Sequence, residues 1–163
     1  MTYKMPTKFI FFVLILYFSS SHVIAATDDL IVSAIHFGGG LDIKYDWKVD
    51  INGSLIKIER LGKKTHTRKL SAKALDSLRR SIKENDFSDL AGQYGCNACM
   101  DNPSCRVKMK IGSTSKEVVL YAYFPQGDEY TASPEKNEVL RFMSVWNTIK
   151  QIAGINSIKN LCP

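Results

Sequence analysis

The stretch Leu41–Ile51, L-D-I-K-Y-D-W-K-V-D-I, decides the fold. Its odd positions are Leu41, Ile43, Tyr45, Trp47, Val49 and Ile51; its even positions are Asp42, Lys44, Asp46, Lys48 and Asp50. Alternation with period two is the mark of a strand with one buried and one wet face. Asn52-Gly53 follows at once, a favoured two-residue hairpin turn. Ser54 to Leu61, with Ile56 and Ile58, is then the return strand. Asn52-Gly53-Ser54 also spells a glycosylation acceptor, but a tight turn accounts for the same residues.

Working outward, Leu30–Phe37 (LIVSAIHF) reads as a first strand, joined to Leu41 through a hairpin tip at Gly38-Gly39-Gly40. Three glycines admit backbone angles closed to other residues and let another segment approach closely. Thr65–Lys69 reads as a short edge strand whose Lys and Arg guard the edge. Ser71 is placed to cap a helix that ends near Asn85, with Leu75, Leu78 and Ile82 spaced to face a core. Arg106–Ile111 alternates again, with Val107, Met109 and Ile111 facing inward. Gly112-Ser113 turns the chain into a last strand, Ser115–Phe124. Ser133-Pro134 opens a second helix, which carries Leu140, Met143, Trp146, Ile149 and Ile152 near one face and ends at Gly154. The expected fold is α+β: an antiparallel sheet of four to five strands with two helices packed on one face.

The N-terminus reads as an address. Lys4 and Lys8 precede an apolar run, Phe9–Phe18 (FIFFVLILYF), and Val23-Ile24-Ala25-Ala26 supplies a small-x-small end. That order describes a secretory signal peptide over residues 1–25. Ten residues of helix reach only about 15 Å, half of a ~30 Å hydrocarbon core, so a membrane anchor fits poorly. Cutting after Ala25 leaves residues 26–163 as a single α+β domain and lowers the net charge from +6 to +4, since Lys4 and Lys8 are the only charges removed. With 45% hydrophobic and 23% charged residues, the chain can bury a core and is not a disordered polymer. No second long apolar run follows, so no membrane span is expected after cleavage. The expected location is the periplasm or the exterior.

All four cysteines, Cys96, Cys99, Cys105 and Cys162, lie in the exported part. An even count in an oxidising compartment reads as two disulfides, and three pairings are open. Three of the four crowd between Tyr94 and Arg106, so pairing all of them ties Cys162 to that loop. Cys96-Asn97-Ala98-Cys99 has the spacing of a redox dithiol, but such motifs open a helix. Here Met100-Asp101-Asn102-Pro103-Ser104 is turn chemistry. Zinc binding lacks a second tight cysteine pair.

Enzyme and cofactor motifs are absent: no H-E-x-x-H, G-x-S-x-G, P-loop or dinucleotide fingerprint. No catalytic residue, metal ligand or cofactor is assigned. His36 and His66 are the exported histidines, each read as a surface or half-buried strand residue, although either has the chemistry of a general base. Lys44, Lys48, Lys57, Arg106, Lys108 and Lys110 fall on the wet face of the sheet together with Asp42, Asp46, Asp50 and Glu59, so much of the charge cancels. Nucleic-acid binding is not expected. The segment Tyr121–Tyr130 (YAYFPQGDEY) sets aromatics in a Pro/Gly loop, where they make good interface anchors.

Phe37-Gly38-Gly39-Gly40, the helix from Leu70 to Asn85, Asp86-Phe87-Ser88-Asp89-Leu90 and a closing hairpin together resemble the emfourin-type family of protease inhibitors, over roughly His36 to Phe124. The resemblance implies a small α+β protein that covers the active site of a secreted thermolysin-like metalloprotease. The cysteine-rich loop and the C-terminal tail depart from that pattern. The expectation is therefore an exported, disulfide-stapled, non-enzymatic protein-binding module with Gly38, Gly39, Gly40, Phe124 and Tyr130 as candidate partner contacts. The alternatives are a periplasmic thiol–disulfide redox factor and a small-ligand-binding protein.

Overall fold

A computed structural model describes residues 29–38, 45–95, 103–121 and 134–155. Expectations that rest on residues 1–25, Gly39, Gly40, Leu41, Ile43, Cys96, Cys99, Phe124, Tyr130, Ser133 and Cys162 lie outside these residues.

Alternating side chains build the strands β1 (Ile31–Phe37), β2 (Tyr45–Asn52), β3 (Leu55–Arg60), β4 (His66–Lys69), β5 (Gln93–Tyr94), β6 (Ser104–Ile111) and β7 (Thr114–Tyr121). They form one sheet in the order β4-β3-β2-β1-β6-β7-β5. This corrects the four to five antiparallel strands expected, because seven pair and β5 runs parallel to β7. A two-residue strand has no periodicity to read. Its signal is hydrogen bonding supplied by the neighbour, as where Val119 N–H donates to Gly92 C=O at 3.0 Å.

The β2–β3 turn is centred one residue later than expected. Asn52 pairs with Leu55, and Gly53 adopts φ +53° as the first turn residue. That register sets Ile51 against Ile56 instead of Ser54, and both isoleucines are fully buried. Only the first turn position then needs a left-handed residue.

Two helices, α1 (Ala72–Glu84) and α2 (Pro134–Ala153), complete the fold. The Ser71 hydroxyl accepts from Ala74 N–H at 3.2 Å, which caps α1 as its sequence predicts. One face of every strand except the exposed β4 is buried with the helices in a single core that includes Val32, Ala34, Val49, Val107, Val118 and Leu120 from the sheet. The other face remains half-exposed or exposed.

The inward face of α2 differs from the expected stripe. Val139, Phe142, Val145, Trp146, Ile149 and Ala153 are buried, whereas Leu140 is 57% exposed. Each residue turns a helix by about 100°, so a shift of one position moves Leu140 out and Phe142 in. Contact with α1 sets the rotation: Asn85 Nδ2 donates to Ser144 Oγ, and Thr148 Oγ1 to Ser81 Oγ. No described helix is long and apolar enough to cross a membrane.

Asp86-Phe87-Ser88-Asp89-Leu90 is a joint between the helices. Phe87 and Leu90 are buried. Asp86 sits at φ 40°, and Arg141 donates to the Asn85 and Asp86 carbonyls at 2.8 and 3.0 Å. The end of α1 is thus held both locally and by α2, with Asn85 Nδ2 also donating to Ser81 C=O at 2.7 Å.

Candidate functional site

Strand direction gathers the long connections at one end of the sheet. β1 ends there at Phe37, β2 begins there at Tyr45, β6 begins at Ser104 and β7 ends at Tyr121. Phe37 pairs with Tyr45 and with Ser104, and Ser104 with Tyr121, so the four stand in one row. Segments 39–44, 96–102 and 122–133 depart from or return to residues at this end. Those segments contain Gly39, Gly40, Cys96, Cys99, Phe124 and Tyr130.

Beneath that row lies a cluster that sequence reading missed. His36 was expected at the surface or half-buried; it is 2% exposed and faces the core. Its Nδ1 stands 3.0 Å from Asp46 Oδ2, although the approach is off-axis and neither ring nitrogen has a well-aligned hydrogen bond. The ring stacks on Trp47 with centroids 5.9 Å apart and an interplanar angle of 12°. Trp146 packs 4.8 Å from Trp47 and 6.1 Å from Phe142, and Phe142 lies 6.3 Å from Phe87. A continuous row of rings thus runs from the loop end through the core to the joint at Phe87.

A β-bulge makes the cluster. Trp47 pairs with His36 but Tyr45 pairs with Phe37, which leaves Asp46 as the extra residue. Asp46, expected on the wet face, turns toward His36. Tyr45, expected inward, turns out and donates to Glu59 Oε2 at 2.6 Å. Gly38 permits this: a Cβ there would lie 2.7 Å from Asp46 Oδ2 and 2.8 Å from Oδ1. At this position glycine is needed for space and not for a left-handed backbone angle.

Burial lowers the His36 pKa from its ordinary 6.5, Asp46 opposes that shift and Lys150 on α2 adds to it. Above pH 6.5 the ring is neutral both folded and unfolded. As pH falls below 6.5 the unfolded chain takes up a proton that the folded chain does not, so stability is lost until the lower folded value is passed. Gly38→Ala is expected to push the Asp46 carboxylate aside and lower the His36 pKa further, as Asp46→Asn does without overpacking. NMR titration of the His36 ring checks this; an unmoved midpoint in both variants refutes the coupling.

Cys105, on the core side of β6, is directly opposite His36 and fully buried. It is a disulfide cysteine, and its partner lies outside the described residues. His36 therefore has an oxidised sulfur as its neighbour and no surface for a substrate.

The outer face carries the mixed charge that its alternation predicts. Lys48 pairs with Asp50 at 2.8 Å and Lys57 with Glu59 at 2.5 Å. Lys57, then Tyr45, hold the Glu59 pKa below its ordinary value. Toward the loop end, the Arg106 guanidinium lies over the Phe37 ring at 5.7 Å, beside half-exposed Tyr45 and Tyr121. On the opposite flank, Tyr94 donates to Glu138 and accepts from Ala91 N–H, and burial raises its pKa strongly. This ties β5 to the first turns of α2. No protein-family model matches the chain, and no curated protein matches it.

Proposed function

We propose that the protein is an exported, non-enzymatic binding module that uses the loop end of its sheet to engage another protein, a secreted metalloprotease being the reading followed here. The observation that carries this is the row of Phe37, Tyr45, Ser104 and Tyr121 at one end of a sheet that is internally braced by the His36–Trp47–Trp146 row. Binding residues are characteristically displayed on loops held by a rigid scaffold. Gly38 at the start of the first loop and the aromatics Phe37, Tyr45 and Tyr121 at the roots of the loops supply a half-exposed apolar rim with one cation, Arg106. Gly39, Gly40, Phe124 and Tyr130 belong to the same surface in this reading, and Cys96, Cys99, Cys105 and Cys162 staple it.

The resemblance of the Phe37–Gly40 and Asp86–Leu90 motifs to emfourin-type inhibitors supports the choice of partner. Titration of a thermolysin-like secreted protease with the purified protein is expected to abolish peptide hydrolysis at a one-to-one ratio. Replacing Phe37 and Tyr121 by Ala should weaken inhibition by tenfold or more while leaving the fold intact. Undiminished hydrolysis at micromolar protein discards the protease as partner.

A further inference from the structure

One edge of the sheet carries a run of basic residues without an acid. Arg60–Lys69 (RLGKKTHTRK) holds five Lys and Arg, one His and no acid in ten residues. This segment is the end of β3, its turn and the whole of β4. The four residues of β4 are all exposed, and β4 is the terminal strand of the sheet. Its outer backbone edge therefore faces no other strand among the described residues. No carboxylate among the described residues makes an ion pair with any of the five cations.

Beside that edge is a cavity of about 320 Å³ lined by Ile58, Arg60, Lys63, His66, Arg68 and Ala153. Its floor is apolar and its walls carry only cationic or cation-forming groups. That volume lies at the small end of the range for ligand pockets, about 300–1,000 Å³. Two of its walls are held in place. Arg60 donates to Gly154 C=O at 3.2 Å, and Arg68 donates to Ile152 C=O at the C-terminus of α2. Each guanidinium has five N–H donors, so each keeps several for a further acceptor.

We propose that the β4 edge and this cavity bind an extended acidic peptide segment of a partner protein, which adds as a strand beside β4 and sets one carboxylate side chain into the Arg60–Arg68 cavity. Strand addition takes its affinity from main-chain hydrogen bonds and its selectivity from pockets for alternate side chains. Both parts are present at one edge. Pairing sets His66 opposite Ile58 and Arg68 opposite Ile56, on the cavity side, and leaves Thr67 and Lys69 on the other face. Positive charge on both faces of a strand suits a strand-shaped anion, whereas a flat anionic surface reaches only one face. Self-association through this edge is opposed, because it would set like charges against each other. The site is separate from the loop-end reading and does not depend on it.

The test uses the whole protein and a short fluorescent peptide of alternating Glu and Val, followed by anisotropy. Binding in the micromolar range is expected, and slowed amide exchange at residues 66–69 should accompany it. Lys63→Glu with Lys64→Glu alters two exposed turn residues, so the fold is retained, and it is expected to weaken binding by about tenfold. N-methylation of alternate peptide amides should weaken it comparably. Equal binding of the methylated and parent peptides overturns strand addition. So does no binding of the parent peptide, including the case in which anionic phosphatidylglycerol vesicles bind in its place and the double variant releases them.

Discussion

Trp146→Ala is expected to lower the stability of the folded protein by about 3–5 kcal/mol. The side chain is 1% exposed and joins α2 to the sheet by packing 4.8 Å from Trp47 and 6.1 Å from Phe142. Truncation removes an indole from the centre of that row and leaves a cavity between rigid neighbours, so little of the loss can be recovered by collapse. A domain of this size has a total stability of about 5–15 kcal/mol, so the variant should unfold at much lower urea. Leu140→Ala is the matched control. Leu140 shares the expected helical stripe with Trp146 but is 57% exposed, and its loss should fall within about 0.5 kcal/mol. Equal urea midpoints for the two variants would overturn the observed rotation of α2.

Breaking the disulfide at Cys105 is the second large effect. A native disulfide in a small exported domain typically contributes about 2–5 kcal/mol by restricting the unfolded chain. Cys105 is fully buried against His36, so Cys105→Ala should lose that contribution with only a small change in packing. Adding reductant to the unaltered protein should reproduce most of the loss. Alkylation in denaturant without reductant should leave Cys105 unlabelled. An unfolding midpoint insensitive to reductant, with Cys105 labelled, would remove the crosslink from the account. The protease titration supplies a further readout: if the staple orders the loop end, Cys105→Ala should weaken inhibition more than it destabilises the sheet.

The candidate site was only half legible in the chain. The sequence marks Gly38 for backbone freedom, whereas in the structure it leaves room for Asp46. His36 and Asp46 are ten positions apart and sit in different strands, so nothing local announces their contact. Simple alternation assigns Asp46 to water and Tyr45 to the core; the bulge at Asp46 reverses both. A bulge adds one residue to one strand only, and its position depends on the partner strand. Likewise Thr65–Lys69 reads in the sequence only as a guarded edge strand, since the cavity beside it exists only once the end of α2 is laid against β3 and β4.

What the chain determines alone is what nearest neighbours along it determine. Period-two alternation sets the strands, Ser71 sets the start of α1, and the placement of apolar residues decides which face of β2, β3 and β6 is dry. Tertiary structure decides how many strands pair, how α2 is rotated, which turn residue sits at Gly53 and that His36 is buried against Asp46. Those features are fixed by contacts between segments far apart in sequence, where the free energy of burying Ile51 on Ile56, or Trp146 on Trp47, outweighs the weaker local preference.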